Sequence, residues 1–74
     1  MANVKRRNDK PPLFRVGDRV RFTFGVKPIV GVVVEDRGVI LTGGRRVYRV
    51  VVDDPEHYFH LDTERAEEAL ELVN

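Results

Sequence analysis

Arg19-Val20-Arg21-Phe22-Thr23-Phe24 is the stretch on which the fold turns. Val20, Phe22 and Phe24 fall on one side of a two-residue alternation, and Arg19, Arg21 and Thr23 on the other. That period, carried by β-branched and aromatic side chains, is the pattern of a half-buried strand. Ahead of it, Gly17-Asp18 is a turn signal, preceded by the apolar Leu13, Phe14 and Val16. Behind it, Gly25-Val26-Lys27-Pro28 breaks the alternation, and Ile29 to Asp36 resumes as a nearly all-apolar second strand. Such a composition suits a strand with neighbours on both sides. Gly31 inside it predicts a bulge, a bend or a close backbone approach.

Further along, Asp36-Arg37-Gly38 and Thr42-Gly43-Gly44 read as turns around the short apolar piece Val39-Ile40-Leu41. Arg45 to Val52 is a third strand, with Tyr48, Val50 and Val52 on the expected core face and Arg45, Val47, Arg49 and Val51 opposite. An acidic turn, Asp53 to Glu56, leads to a fourth strand, His57 to Leu61. Asp62 or Thr63 is placed to cap a short helix, Glu64 to Ala69, and Leu70 to Val73 gives a brief last strand. Residues 1–12 hold Lys5, Arg6, Arg7 and Lys10 without apolar periodicity and are expected to form a disordered basic tail. Residues 13–74 then make one domain. The expected class is mainly β: a small barrel of about five short antiparallel strands with one late helical turn, closure removing the exposed edges.

The chain has 74 residues, of which 42% are hydrophobic, enough for one small core. It has no cysteine, which excludes disulfides, thiolate metal sites and a cysteine nucleophile. No apolar run approaches the roughly 18 residues of a membrane span, and no apolar stretch follows the basic N-terminus as in a secretory signal. A soluble cytoplasmic protein is expected. The net charge of +1 hides an asymmetry: residues 1–49 carry +8 and residues 50–74 carry −7. Such polarity becomes either two faces of opposite sign or internal charge balance.

The run Phe14-Arg15-Val16-Gly17-Asp18-Arg19-Val20-Arg21-Phe22, then Gly25 and Gly31-Val32-Val33-Val34, resembles the opening of SH3-like barrels. Leu70-Glu71-Leu72-Val73 after a helical turn is similar to their ending. The resemblance covers roughly Leu13 to Asn74 and implies a closed barrel. Gly17, Asp18, Val20, Gly25 and Gly31 loosely resemble the KOW motif, which implies RNA binding. Small SH3-like accessory subunits of electron-transfer complexes share the Gly-Asp start and imply a protein partner. Type II dihydrofolate reductase shares Gly17-Asp18-Arg19-Val20-Arg21 and Ala69-Leu70-Glu71 with Asn74. However, Phe22 stands where that family has lysine, and its Val-Gln-Ile-Tyr tetrad has no counterpart here.

The residues themselves carry little catalytic chemistry. His57 and His60 lie on opposite faces of a strand, so they are not expected to share a metal, although Asp53, Asp54 and Glu56 lie close by. There is no serine, and none of Thr23, Thr42 and Thr63 adjoins a histidine. A nucleophilic triad is therefore not expected. Gly43-Gly44 before Arg45 lacks the strand–loop–helix setting of a phosphate loop. What remains is a basic set. Arg19 and Arg21 on the first strand and Arg45 and Arg49 on the third either share one outward surface, with Tyr58 available for stacking, or cover the strands with their stems and pair with Glu35, Asp36 or the acidic C-terminal part. The expectation is a non-catalytic binding module with no cofactor and no metal, docking a protein partner. That partner would meet the arginine face around an apolar centre near Val26, Ile29 and Val39 to Leu41. The alternative is a nucleic-acid module using the same arginines on phosphates, and a remote alternative is a dihydrofolate-reductase-like enzyme. Oligomeric state is left open by the sequence.

Overall fold

A computed structural model of the chain describes residues 11–41 and 43–73, with only the backbone described at position 41. The expected tail at 1–12 falls mostly outside the described residues, as does Thr42. Five strands run β1 (Arg19–Phe24), β2 (Lys27–Leu41), β3 (Arg45–Asp54), β4 (Phe59–Ala66) and β5 (Glu71–Leu72). Short 3₁₀ turns occupy Pro55–His57 and Glu67–Ala69. All neighbours pair antiparallel, in one sheet of order β4-β3-β2-β1-β5.

The inner face follows from the alternation. Val20 and Phe22 on β1, Val33 on β2, and Tyr48, Val50 and Val52 on β3 are buried, joined by Phe14 and Leu70. Phe24, the third residue of the β1 apolar side, is partly exposed near the strand end. Its ring meets Phe59 of β4 edge-on, with centroids 5.9 Å apart. The Arg65 guanidinium of β4 also lies 5.0 Å from the centre of the Phe22 ring. The sheet therefore curls until side chains of β4 reach those of β1.

The expected closed barrel is not formed. β4 and β5 are the two ends of the strand order and share no ladder. β5 is only two residues long and covers β1 at Val20 and Arg21 alone, leaving too little strand to complete a ring of hydrogen bonds. The sheet is open, and the SH3-like, KOW and type II dihydrofolate reductase resemblances, which imply closure, are corrected with it.

Other differences lie in strand lengths. β2 runs through the apparent turn at Asp36 to Gly38 because the ladder with β3 absorbs three register shifts, between Val33 and Glu35, Asp36 and Gly38, and Val39 and Leu41. Each is a bulge, with one extra residue on β2 and a sharper local twist. Gly38 supplies a positive φ of 77°, and the Asp36 side chain accepts its N–H at 2.9 Å. The same Asp-x-Gly chemistry that makes a turn here makes a bulge. Residues 62–66, expected to start a helix, extend β4, pairing Asp62 to Ala66 with Val51 to Val47. Of the expected helix, only Glu67–Ala69 is helical.

Gly31 shows the close approach expected of a strand glycine. A Cβ there would sit 2.7 Å from Val50 Cγ1, 2.8 Å from the Val51 carbonyl oxygen and 2.9 Å from Val52 Cγ2.

Candidate functional site

The pleat that buries one set of side chains sends the other set to the outer face. On β1 that set is Arg19, Arg21 and Thr23, and on β3 it is Arg49, the half-buried Val51 and Asp53. On β2 it includes Val30, Val32 and Val34, which stay 36%, 39% and 38% exposed. β4 contributes His60, Asp62 and Glu64. Register aligns one row across four strands: Arg19 beside Val32, Val32 beside Val51, Val51 beside Asp62. The face thus has an apolar centre, a basic flank on β1 and an acidic flank on β3 and β4. A depression of about 540 Å³ is lined by Arg19, Val30, Val32, Val51 and Asp53 of this face and also by Ile29, Val52, Asp54 and Phe59, which register places on the inner side.

The four arginines expected to form one basic surface have different surroundings. Arg21 donates to Glu71 of β5 at 2.9 Å. Arg49 grips Asp62 with two hydrogen bonds, Nε to Oδ1 at 2.9 Å and Nη2 to Oδ2 at 2.6 Å, and lies 3.8 Å from Glu35. This fork raises the Arg49 guanidinium pKa and lowers that of the Asp62 carboxyl. The guanidiniums of Arg19 and Arg45 have no partner among the described residues. Arg45 opens β3 next to Gly44, nine residues from Asp54 at its other end, or roughly 30 Å of strand. Arg19, Arg21 and Arg49 share the outer face; Arg45 sits at the far hairpin.

Tyr58 follows the 3₁₀ turn between β3 and β4, 97% exposed, with φ 53° and ψ 40° in the left-handed region. It belongs to the end of the sheet opposite Arg45. Val26, 95% exposed, tips the β1–β2 hairpin, while Ile29 and Val39 are half-buried and Ile40 is exposed. The expected apolar centre is therefore spread over both ends and the inner face. The outer valines were missed. Their signal was present: an all-apolar strand in a sheet with one solvated face must leave some valines outside.

His57 Nδ1 lies 2.8 Å from Asp54 Oδ2, and Glu56 is close enough that the three could converge on one ion. His60 is on the outer face, 3.8 Å from Asp53. No helix among the described residues is long and apolar enough to cross a membrane.

No family model, curated protein or solved structure matches this chain.

Proposed function

We propose that this chain is a non-catalytic, cytoplasmic protein-docking module whose outer sheet face is its contact surface. The observation that carries this is the unbroken group of exposed valines, Val30, Val32 and Val34, set between a basic and an acidic flank. An apolar centre with a charged rim is the anatomy of a protein interface. The rim favours a protein over a phosphate backbone as occupant. Arg21 and Arg49 already meet carboxylates, and Asp53, Asp62 and Glu64 on the same face repel phosphates. The fitting partner surface carries its own apolar strip, with an acid opposite Arg19 and a base opposite Asp53 and Asp62.

The test is to select binders from a displayed peptide library and map them by amide shifts on the labelled protein. Shifts at Val30 to Val34 and Val51, abolished by Val32→Asp, are the expected outcome. Titration with mixed-sequence single-stranded RNA at low and moderate salt is the counter-test. Saturable, salt-sensitive shifts centred on Arg19, Arg21 and Arg45 would overturn the protein-docking reading in favour of nucleic acid.

A further inference from the structure

Resting on that reading, we infer that the partner enters as an extended, basic peptide held in the notch where β2 and β3 part. β1 lines β2 from Lys27 to Val32, whereas β3 lines it only from Val32 to Leu41. Beyond the pair Val32 and Val51 the two strands diverge. β2 continues with β1 back to Lys27, and β3 continues with β4 to Asp54. Lys27 to Gly31 and Val52 to Asp54 thus each keep one edge with no strand partner among the described residues. Gly31 stands at the apex, where a Cβ would lie 2.8 Å from the Val51 carbonyl oxygen. The depression of about 540 Å³ opens between the diverging edges, with Ile29 and Val30 on the β2 side and Val52, Asp53 and Asp54 on the β3 side. Its size is that of a binding pocket, for which roughly 300–1,000 Å³ is usual.

The backbone in the notch is turned toward such a peptide. Val33 bonds on the β1 side: its N–H donates to the Asp18 carbonyl at 2.9 Å, and its carbonyl accepts the Gly17 N–H at 2.8 Å. Successive residues of a strand bond to alternate sides. Val32 and Val30 therefore direct their N–H and C=O groups toward β3, where Val32 meets Val51 and Val30 meets no strand. On β3, Val51 and then Asp53 direct theirs toward β2 by the same alternation. The register carried past Val51 would set Asp53 opposite Val30, but the divergence leaves both without a ladder partner on that side. An extended chain laid in the notch supplies those bonds by strand addition, and its apolar side chains pack on Ile29 and Val30. Charge fixes the rest of its chemistry. Two carboxylates, Asp53 and Asp54, line the depression against one guanidinium, Arg19. Among the described residues Asp53 has only His60, at 3.8 Å, as a partner for its carboxylate. The fitting peptide alternates apolar and basic residues.

The probe is a short, end-blocked peptide of alternating valine and lysine, titrated to about 1 mM into the labelled full chain. The expected result is saturable shifts of the Val30 and Asp53 amides, with their hydrogen exchange slowed about tenfold or more at saturation. The same peptide with glutamate in place of lysine should bind about tenfold more weakly. Methylating the peptide's backbone nitrogens should abolish binding, because strand addition needs its N–H groups. Val30→Pro removes the N–H facing the notch and breaks no bond to β1, since Val30 bonds away from β1. Asp53→Lys reverses the charge of a side chain that is 70% exposed, so the fold survives whatever happens to the first variant. Each should weaken binding about tenfold with unchanged circular dichroism. No shift at Val30 or Asp53, or equal affinity for the glutamate peptide, overturns the inference. The docking reading fails separately. Library-selected binders that shift Val32, Val34 and Val51 while exchange at Val30 and Asp53 stays fast would overturn strand addition alone. Binders that leave the whole outer face unshifted would overturn the docking reading itself.

Discussion

The hydroxyl of Tyr48 donates to Glu67 Oε2 at 2.7 Å and accepts the backbone N–H of Phe14 at 3.3 Å. The same Glu67 oxygen accepts the Leu13 N–H at 3.0 Å. One phenol at the centre of β3 thus fastens both the segment entering the domain and the 3₁₀ turn leaving it. Its ring is fully buried and meets Phe14 edge-on, at 5.3 Å between centroids.

Tyr48→Phe keeps the ring and removes this junction. The Phe14 N–H loses its partner in a buried setting, and the variant should lose about 1–3 kcal/mol at neutral pH by urea denaturation. Alkaline pH should act through the same group. Burial, then the hydrogen bond to Glu67, raises its pKa from 10.0 to about 12. Because the folded value lies above the unfolded one, the stabilisation is complete below pH 10 and is lost as pH rises toward 12. A two-unit shift corresponds to roughly 2–3 kcal/mol. The wild type should therefore fall more steeply than Tyr48→Phe over that window, and parallel curves would refute the linkage.

Arg49 and Asp62 give an acid-side prediction. The Arg49 fork holds the Asp62 carboxyl below its ordinary value of 3.8, so its contribution is present above that pH and is lost as pH falls through the lowered value. A carboxyl-carbon NMR titration should show the Asp62 midpoint below 3.8, and Arg49→Gln should move it back up. An unchanged midpoint in that variant would mean that the fork seen at 2.6 Å and 2.9 Å does not persist in solution.

Much of the strand framework was legible because β1 and β3 largely follow a two-residue period, broken where Val47, expected opposite the core, is buried beside Tyr48. Arg19 to Phe24 and the Tyr48, Val50, Val52 core face follow from it directly. What was lost depended on context rather than local chemistry. Asp36-Arg37-Gly38 has the residues of a turn, and only pairing with β3 turns it into a bulge. Glu64 to Ala66 has helical propensity, but the free edge of β3 captures it as strand. Barrel closure was beyond local pattern, since it depends on how far β5 extends against its neighbours. The site was half legible. Arginine spacing placed Arg19, Arg21 and Arg49 on the outer face, but the carboxylates that hydrogen-bond Arg21 and Arg49 come from β5 and β4, up to 50 residues away in sequence.

Gly31→Ala should be costly although the position lies in a strand, where alanine is ordinarily tolerated. The new methyl would meet two valine side chains and, at 2.8 Å, the Val51 carbonyl oxygen, which cannot rotate away. A loss of about 1–3 kcal/mol is expected from overpacking. Val50→Ala in the same chain should restore little of it, because the backbone contact remains. Full rescue by that second change would show that side-chain crowding alone excludes a methyl here.

Tyr58 offers the opposite sign. It holds a left-handed backbone, φ 53° and ψ 40°, as the residue closing the Pro55–His57 turn, and its N–H bonds to the Pro55 carbonyl at 3.2 Å. A non-glycine residue in that region costs roughly 1–2 kcal/mol, and a side chain 97% exposed gains little from packing in return. Tyr58→Gly should relieve the strain while the added freedom of the unfolded glycine offsets part of the gain. The expected net is a stabilisation of about 0.5–1 kcal/mol, read as a higher urea midpoint with unchanged slope. Tyr58→Ala should give no such increase, because alanine meets the same backbone penalty. If alanine stabilised as much as glycine, the tyrosine ring rather than its backbone conformation would be the source of the cost.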